Sequence, residues 1–201
     1  VVHGAGRVAD IDGLDLAAAG IEAGAGGIVV DAFLRTTNPR VFAVGDCAAT
    51  VQLARVADYE ARVAAETILS ESAGQGSPPR IDYAAAPAIL FTYPQYGMVG
   101  KTEDALKKEG AKYYKSVGKN LSWPTYKRVG MRHAAYKILV DEDNRILGAH
   151  ILSDNAAGLI QTLRMAMIAG MPADTLHRVS IMTPYPSRES DLLYMLSPFV
   201  E

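Results

Sequence analysis

The sequence predicts a mixed α/β chain in two parts. In the first, short apolar strands lead into one long helix; the second is an α+β domain in which an antiparallel sheet carries flanking helices. Three observations predict this. Thr36-Thr37-Asn38-Pro39 is a turn that feeds the apolar run Val41 to Val44, which stops on Gly45-Asp46 before helical periodicity begins. Residues 70–87 hold a dense Gly/Ser/Pro cluster without a long periodic segment, the composition of a domain boundary. Beyond it, two β-like segments flank the polar turn Asp141-Glu142-Asp143-Asn144, as in a hairpin.

Taken in order, residues 12–22 are a short helix candidate that stops near Gly20. Residues 26–31 and 41–44 read as strands. From Gln52 to Leu69, Leu53, Val56, Ala57, Val63, Ala64 and Ile68 recur at helical spacing, with Arg55, Asp58, Glu60, Arg62 and Glu66 mostly between them. Past the boundary come strands at 88–92 and 97–99, then a helix over 102–109 capped by Thr102 and closed by Gly110. Segments 112–118, 134–140 and 146–152 complete the meander. Residues 155–169 form the longest helix of this half. The chain closes with 172–177, a Pro-rich turn at 183–187 and a short helix through Leu192 and Leu196.

With 201 residues, 49% of them hydrophobic, the chain suffices for one large domain or two small ones. Lys plus Arg (20) nearly balances Asp plus Glu (22), so no overall field recruits nucleic acid or an acidic membrane. No apolar run approaches the ~20 residues that span a bilayer. The single cysteine, Cys47, precludes an internal disulfide and fits a reducing, cytoplasmic compartment. Val1-Val2-His3-Gly4 reads as mid-strand, so a longer parent chain is expected.

Gly45-Asp46 carries the clearest chemistry. Glycine lets the backbone approach a ligand closely, and an ionised Asp only accepts hydrogen bonds, which suits it to hydroxyls of a ribose or ribityl chain. The other reading of Asp46 is a strand-end carboxylate capping the next helix. Gly4-Ala5-Gly6-Arg7-Val8-Ala9 fits a dinucleotide fingerprint literally, but only three residues of strand precede it, and Asp10, Asp12 and Gly13 interrupt the helix it needs. A turn leaving a preceding domain is the stronger reading. Gly100-Lys101-Thr102 lacks the first glycine of a phosphate loop. Cys47 is expected as a small buried apolar residue. His3, His133, His150 and His177 show no metal-ligand spacing. Trp123 and Tyr126, with Lys119, Lys127 and Arg128, read as an exposed basic loop.

The run from Gly6-Arg7 through Gly27-Ile28-Val29-Val30-Asp31 to Arg35-Thr36-Thr37-Asn38-Pro39-Arg40-Val41-Phe42-Ala43-Val44-Gly45-Asp46 resembles the pyridine nucleotide-disulfide oxidoreductases. These are flavoenzymes typified by glutathione reductase, dihydrolipoamide dehydrogenase and mercuric reductase. Phe91-Thr92-Tyr93-Pro94 with Gly97-Met98-Val99-Gly100, and Lys137 to Ile151, resemble that family's C-terminal dimerisation domain. The resemblance covers nearly the whole chain. It implies that residues 1–10 end an NAD(P) domain, 11–85 are the returning part of a Rossmann-like FAD-binding domain, and 86–201 are the dimerisation domain. It further implies FAD as cofactor, NAD(P)H in the intact enzyme, a homodimer and a small-molecule electron acceptor. Gly45 and Asp46 then contact the ribityl chain, and backbone N–H groups at Leu53 and Ala54 face the flavin's pyrimidine edge. No metal site, nucleic-acid partner or membrane partner is expected, and the isolated fragment is expected to be inactive.

One departure stands out. Where disulfide-reducing members carry an acid-base His and, five residues later, a Glu that orients it, Tyr185 and Ser190 stand here. A phenol with a reference pKa of ~10 shuttles protons poorly at neutral pH. Tyr185 therefore either contacts an acceptor other than an ordinary disulfide across the dimer or is a structural tyrosine in a Pro-rich turn. Leu159, Leu163, Met167 and Leu192 to Leu196 are expected to need apolar cover from a partner. The alternative to an enzyme is a non-catalytic dimerisation module or proteolytic remnant.

Overall fold

The computed structural model describes residues 1–2, 4–74 and 79–200. Of the expected features, His3 and the linker residues Gln75 to Pro78 lie outside the described residues. The chain divides into two compact units, residues 1–83 and 84–201.

The first unit is organised by side chains that lock its turns. The Thr36 hydroxyl donates to the Val41 carbonyl (3.0 Å), and Asn38 Oδ1 accepts from the Arg40 N–H (3.0 Å). A two-stranded hairpin, β1 (Ala23–Gly24) and β2 (Gly27–Ile28), precedes them. The expected helix over 12–22 does not form. A 3-10 turn at Asp12–Leu14 ends at Asp15, whose φ of +46° leaves the helical region, and the carbonyls of Ala19 and Gly20 accept from Asn38 and Thr37 side chains instead. Residues 41–44 likewise form no ladder: the segment makes one bridge, Arg35 with Phe42, because no neighbouring strand flanks it among the described residues. Helix α1 (Ala54–Ala73) follows, longer than expected at its C-terminal end, and stops at Gly74 in the left-handed conformation. Its buried stripe includes Val56, Val63 and Ala64; the latter two join Leu34 in a small core.

The second unit is a five-stranded antiparallel sheet in the order β3 (Ala88–Leu90), β4 (Gln95–Gly100), β7 (Ile146–Ser153), β6 (Ala135–Val140), β5 (Tyr114–Lys119). The meander thus forms as expected. The β6–β7 turn is fixed by Asp141 Oδ1, which accepts from the N–H groups of Asp143 (2.9 Å) and Arg145 (2.8 Å). Between β4 and β5, α2 (Glu103–Lys108) starts at Thr102, whose hydroxyl accepts from the Ala105 N–H (3.1 Å); acidic residues in its first turn and lysines in its last suit the dipole. Helix α4 (Ala156–Ile168), capped by Asn155, lays Leu159, Ile160 and Leu163 on one face of the sheet. The approach is close: a Cβ at Gly97 would lie 2.7 Å from Ile160 Cγ1. Helices α5 (Ala173–Ser180) and α6 (Leu192–Leu196) finish the core with Leu176, Met195 and Leu196.

Two expectations are corrected in this unit. Trp123 and Tyr126 do not belong to an exposed loop: α3 (Pro124–Lys127) buries Tyr126 completely and sets Trp123 against Tyr136 and Tyr194 at ring-centre distances of 5.9 and 5.2 Å. Lys119, Lys127 and Arg128 are the exposed members of that sequence cluster. Leu159, Leu163, Leu192 and Leu196 need no partner to cover them, since the unit's own sheet and helices bury them to 1% exposure or less. The apolar side chains left on the surface are others, among them Met165, Ile168, Val179, Ile181 and Met182.

Candidate functional site

Gly45–Cys47 forms a 3-10 turn, from which residues 48–53 lead into α1. Gly45 is buried with φ +72°, a conformation that strains any residue bearing a Cβ, and an added Cβ would sit 3.3 Å from that of Ala57. Asp46 follows with its side chain 54% exposed. Among the described residues its carboxylate pairs with the Arg7 guanidinium, at 3.4 Å and with both groups open to solvent, so this ion pair contributes little. Gln52 Nε2 donates weakly to the Asp46 carbonyl (3.4 Å). Arg7, Asp46, Cys47 and Gln52 line a pocket of about 310 Å³ within the first unit. Cys47 is half-buried, with its thiol donating to the Val44 carbonyl (3.3 Å).

Helix α1 begins beside this turn. Leu53 is its N-cap, with extended dihedrals and no side-chain hydrogen bond to the helix, and the first turn, from Ala54, holds no acidic residue. A helix start leaves its first N–H groups without intrahelical partners, and they carry the positive end of the macrodipole. The structure thus brings Gly45, Asp46, Leu53 and Ala54 into one neighbourhood. Chemically it offers an exposed acceptor for hydroxyls and an uncapped helix start that favours partial negative charge.

Beneath the turn lies a residue that periodicity placed among the polar positions. Glu60 is fully buried on α1. One carboxylate oxygen accepts from the Gly45 N–H (2.6 Å) and the other from the Tyr83 hydroxyl (2.7 Å). Burial, reinforced by the hydrogen bond and charge of Glu60, holds the Tyr83 phenol well above its ordinary pKa. The spacing contained the signal: positions 56, 60, 63 and 67 share one helix face, and three of the four carry Val or Thr. Of the other pocket-lining residues, Arg7 belongs to the Gly6-Arg7 run of the family resemblance, whereas Gln52 has no comparable signal because it is a surface polar residue.

Tyr185 belongs to the second unit, 64% exposed on the turn after α5. Ser190 does not reach it. The Ser190 hydroxyl donates to the Ser187 carbonyl (2.6 Å), closing its own turn. Anchoring falls to two neighbours. Arg188 makes a two-pronged contact with Asp154, Nε to Oδ1 at 2.6 Å and Nη2 to Oδ2 at 2.8 Å, and its guanidinium lies 3.8 Å from the Tyr126 ring centre. Arg188 holds the Asp154 carboxyl below the usual carboxylate range. Asp191, fully buried, accepts from the Thr125 hydroxyl (2.5 Å) through one oxygen only, and burial pushes its pKa up.

Among the described residues no group of three or more His, Cys, Asp or Glu is placed to hold a metal, and no helix is long and apolar enough to cross a membrane.

The sequence matches the pyridine nucleotide-disulphide oxidoreductase dimerisation domain over residues 86–191 and the pyridine nucleotide-disulphide oxidoreductase family over residues 1–61. It is 36% identical over 175 residues to an uncharacterized 19.7 kDa protein in a mercuric resistance operon of Staphylococcus aureus, a match covering 85% of this chain and 93% of that protein. It is also 36% identical over 186 residues to dihydrolipoyl dehydrogenase of Cupriavidus necator, covering 90% of this chain but 37% of the relative. The HOCl-induced flavoprotein disulfide reductase RclA from Escherichia coli superposes with a TM-score of 0.81 at 26% identity, covering 96% of this chain and 44% of that structure. The chain therefore spans less than half the length of these two enzymes. With its dimerisation domain matched over more than half its length, the chain belongs to the pyridine nucleotide-disulphide oxidoreductase family.

Proposed function

We propose that this chain is the C-terminal part of an FAD-dependent NAD(P)H oxidoreductase, in which residues 1–10 end the NAD(P) domain, 11–85 belong to the FAD-binding domain and 86–201 form a homodimer interface. The observation that carries the reading is the Gly45-Asp46 turn set at the uncapped start of α1, in a chain of this family. The residues fit the group. Asp46 accepts from ribityl hydroxyls, Gly45 keeps the backbone free of a Cβ, and the start of α1 from Ala54 favours negative charge on the pyrimidine edge, Leu53 contributing its place at the N-cap while its own N–H donates to the Val51 carbonyl (2.9 Å). When bound, FAD would supply redox chemistry between NAD(P)H and a small-molecule acceptor. Exposed Met165, Ile168, Val179, Ile181 and Met182 supply apolar area for the homodimer. Tyr185, exposed and without the His–Glu pairing of disulfide reductases, contacts an acceptor other than an ordinary glutathione or lipoamide disulfide.

The test is FAD titration of the whole protein that carries this chain, with and without Asp46→Ala. Loss of the hydrogen-bond-accepting carboxylate weakens FAD about tenfold or more; equal affinity of variant and wild type refutes the assignment. A second reading, a dimerisation module without catalysis, is favoured by the 19.7 kDa relative, of which 93% aligns here. A product of that size that forms dimers without taking up FAD would support it.

A further inference from the structure

We infer that Glu60 is a positioning residue for the flavin: its buried carboxylate sets the Gly45-Asp46 turn and fastens that turn to Tyr83. The inference rests on the flavin reading of Asp46 given above. A carboxylate withdrawn from water costs several kcal/mol unless its oxygens are satisfied. Both are, and by two segments far apart in sequence: the Gly45 N–H at 2.6 Å and the Tyr83 hydroxyl at 2.7 Å. Gly45 stands at φ +72°, where its N–H joins no strand ladder, and the Glu60 carboxylate is its hydrogen-bond partner.

The next residue is the ligand contact itself. Among the described residues the Asp46 side chain is held by an exposed arginine at 3.4 Å, so the direction of its carboxylate follows the backbone of the turn. Whatever fixes Gly45 therefore aims Asp46. Tyr83 is the last residue of the first unit. Through Glu60, the turn is tied to the point at which the chain leaves that unit for the dimerisation domain.

The arrangement separates charge from hydrogen bonding. Glutamine keeps an acceptor for the Gly45 N–H and places an amide donor toward the Tyr83 oxygen, so Glu60→Gln preserves both contacts without the charge. Glu60→Ala removes both, and Tyr83→Phe removes one. In the whole flavoprotein, FAD affinity of the apoprotein is measured by quenching of flavin fluorescence, and the environment of bound FAD by its visible circular dichroism. Far-UV circular dichroism on heating follows the fold. Glu60→Ala is expected to weaken FAD about tenfold and alter the visible dichroism, Glu60→Gln to restore both nearly to wild type, and Tyr83→Phe to fall between.

Wild-type FAD binding by Glu60→Ala overturns the inference, as does failure of Glu60→Gln to improve on it. If Glu60→Ala does not fold, Tyr83→Phe decides: an unchanged affinity and spectrum overturn the inference. Asp46→Ala keeps the two readings apart. If it binds FAD normally, the flavin assignment of the turn fails and takes this inference with it; if it loses FAD while the Glu60 and Tyr83 variants keep it, only the role of Glu60 fails.

Discussion

Replacing Arg188 with Met tests how the turn carrying Tyr185 is held. Methionine keeps most of the apolar stem but removes both hydrogen bonds to Asp154 and the guanidinium 3.8 Å from the Tyr126 ring centre. Breaking a buried pair by deleting one partner costs about 3–5 kcal/mol. Asp154 keeps 25% of its side chain exposed and water can partly solvate it, which lowers that figure, while the lost cation–π contact adds about 1 kcal/mol. The net is about 2–4 kcal/mol. In urea, which does not screen charge, with a slope near 2 kcal/mol per molar, the unfolding midpoint of the second unit falls by about 1–2 M.

The pH dependence sharpens the test. Arg188 lowers the Asp154 pKa in the folded state, so the pair's contribution is complete above the ordinary carboxylate value of ~3.9 and is lost as pH falls through the lower folded value. The gap between wild type and Arg188→Met is therefore constant from neutrality down to about pH 5 and narrows below pH ~4. Asp191 has the opposite sign. Its pKa is raised by burial, so its contribution is greatest below ~3.9 and is lost as pH rises through the folded value. A loss smaller than about 1 kcal/mol, or one that stays the same at pH 7 and pH 3, refutes the anchoring role of the pair.

Glu103 accepts from Lys137 (2.5 Å), Lys115 (2.9 Å) and Tyr113 (3.0 Å), and those contacts hold its carboxyl far below the usual range. Glu103→Gln lowers the thermal midpoint at low ionic strength, and the deficit shrinks in about 1 M salt as the lysines are screened; a deficit indifferent to salt contradicts an electrostatic hub. Tyr185→Phe in the whole enzyme leaves reduction by NAD(P)H unchanged in stopped flow and slows turnover with the acceptor. Unchanged turnover removes the phenol from the mechanism.

The second unit was the more legible half because its elements are local and strongly patterned. Thr102 caps its helix as expected, the helix expected from Asn155 starts there with Asn155 as its cap, and the Asp141–Asn144 turn joins two strands. The first unit was less legible. Residues 12–22 have helical composition, but contacts from Thr37 and Asn38, distant in sequence, claim their carbonyls. Pattern reading also mistook which apolar residues face outward. The stripe of Leu159 and Leu163 suggests an interface because a helix stripe shows that a face is buried, not what buries it; here it is the unit's own sheet. The role of Glu60 is not legible in the pattern because a charged residue on a buried stripe reads as an interruption until its two donors are in place.

The most direct measurement is the visible absorption spectrum of the purified whole protein, recorded before and after anaerobic addition of NADH or NADPH. Flavin bands that bleach on reduction are the predicted result, and the more effective nucleotide identifies the hydride donor. A protein that stays colourless after incubation with FAD contradicts the flavoenzyme assignment and leaves the dimerisation module.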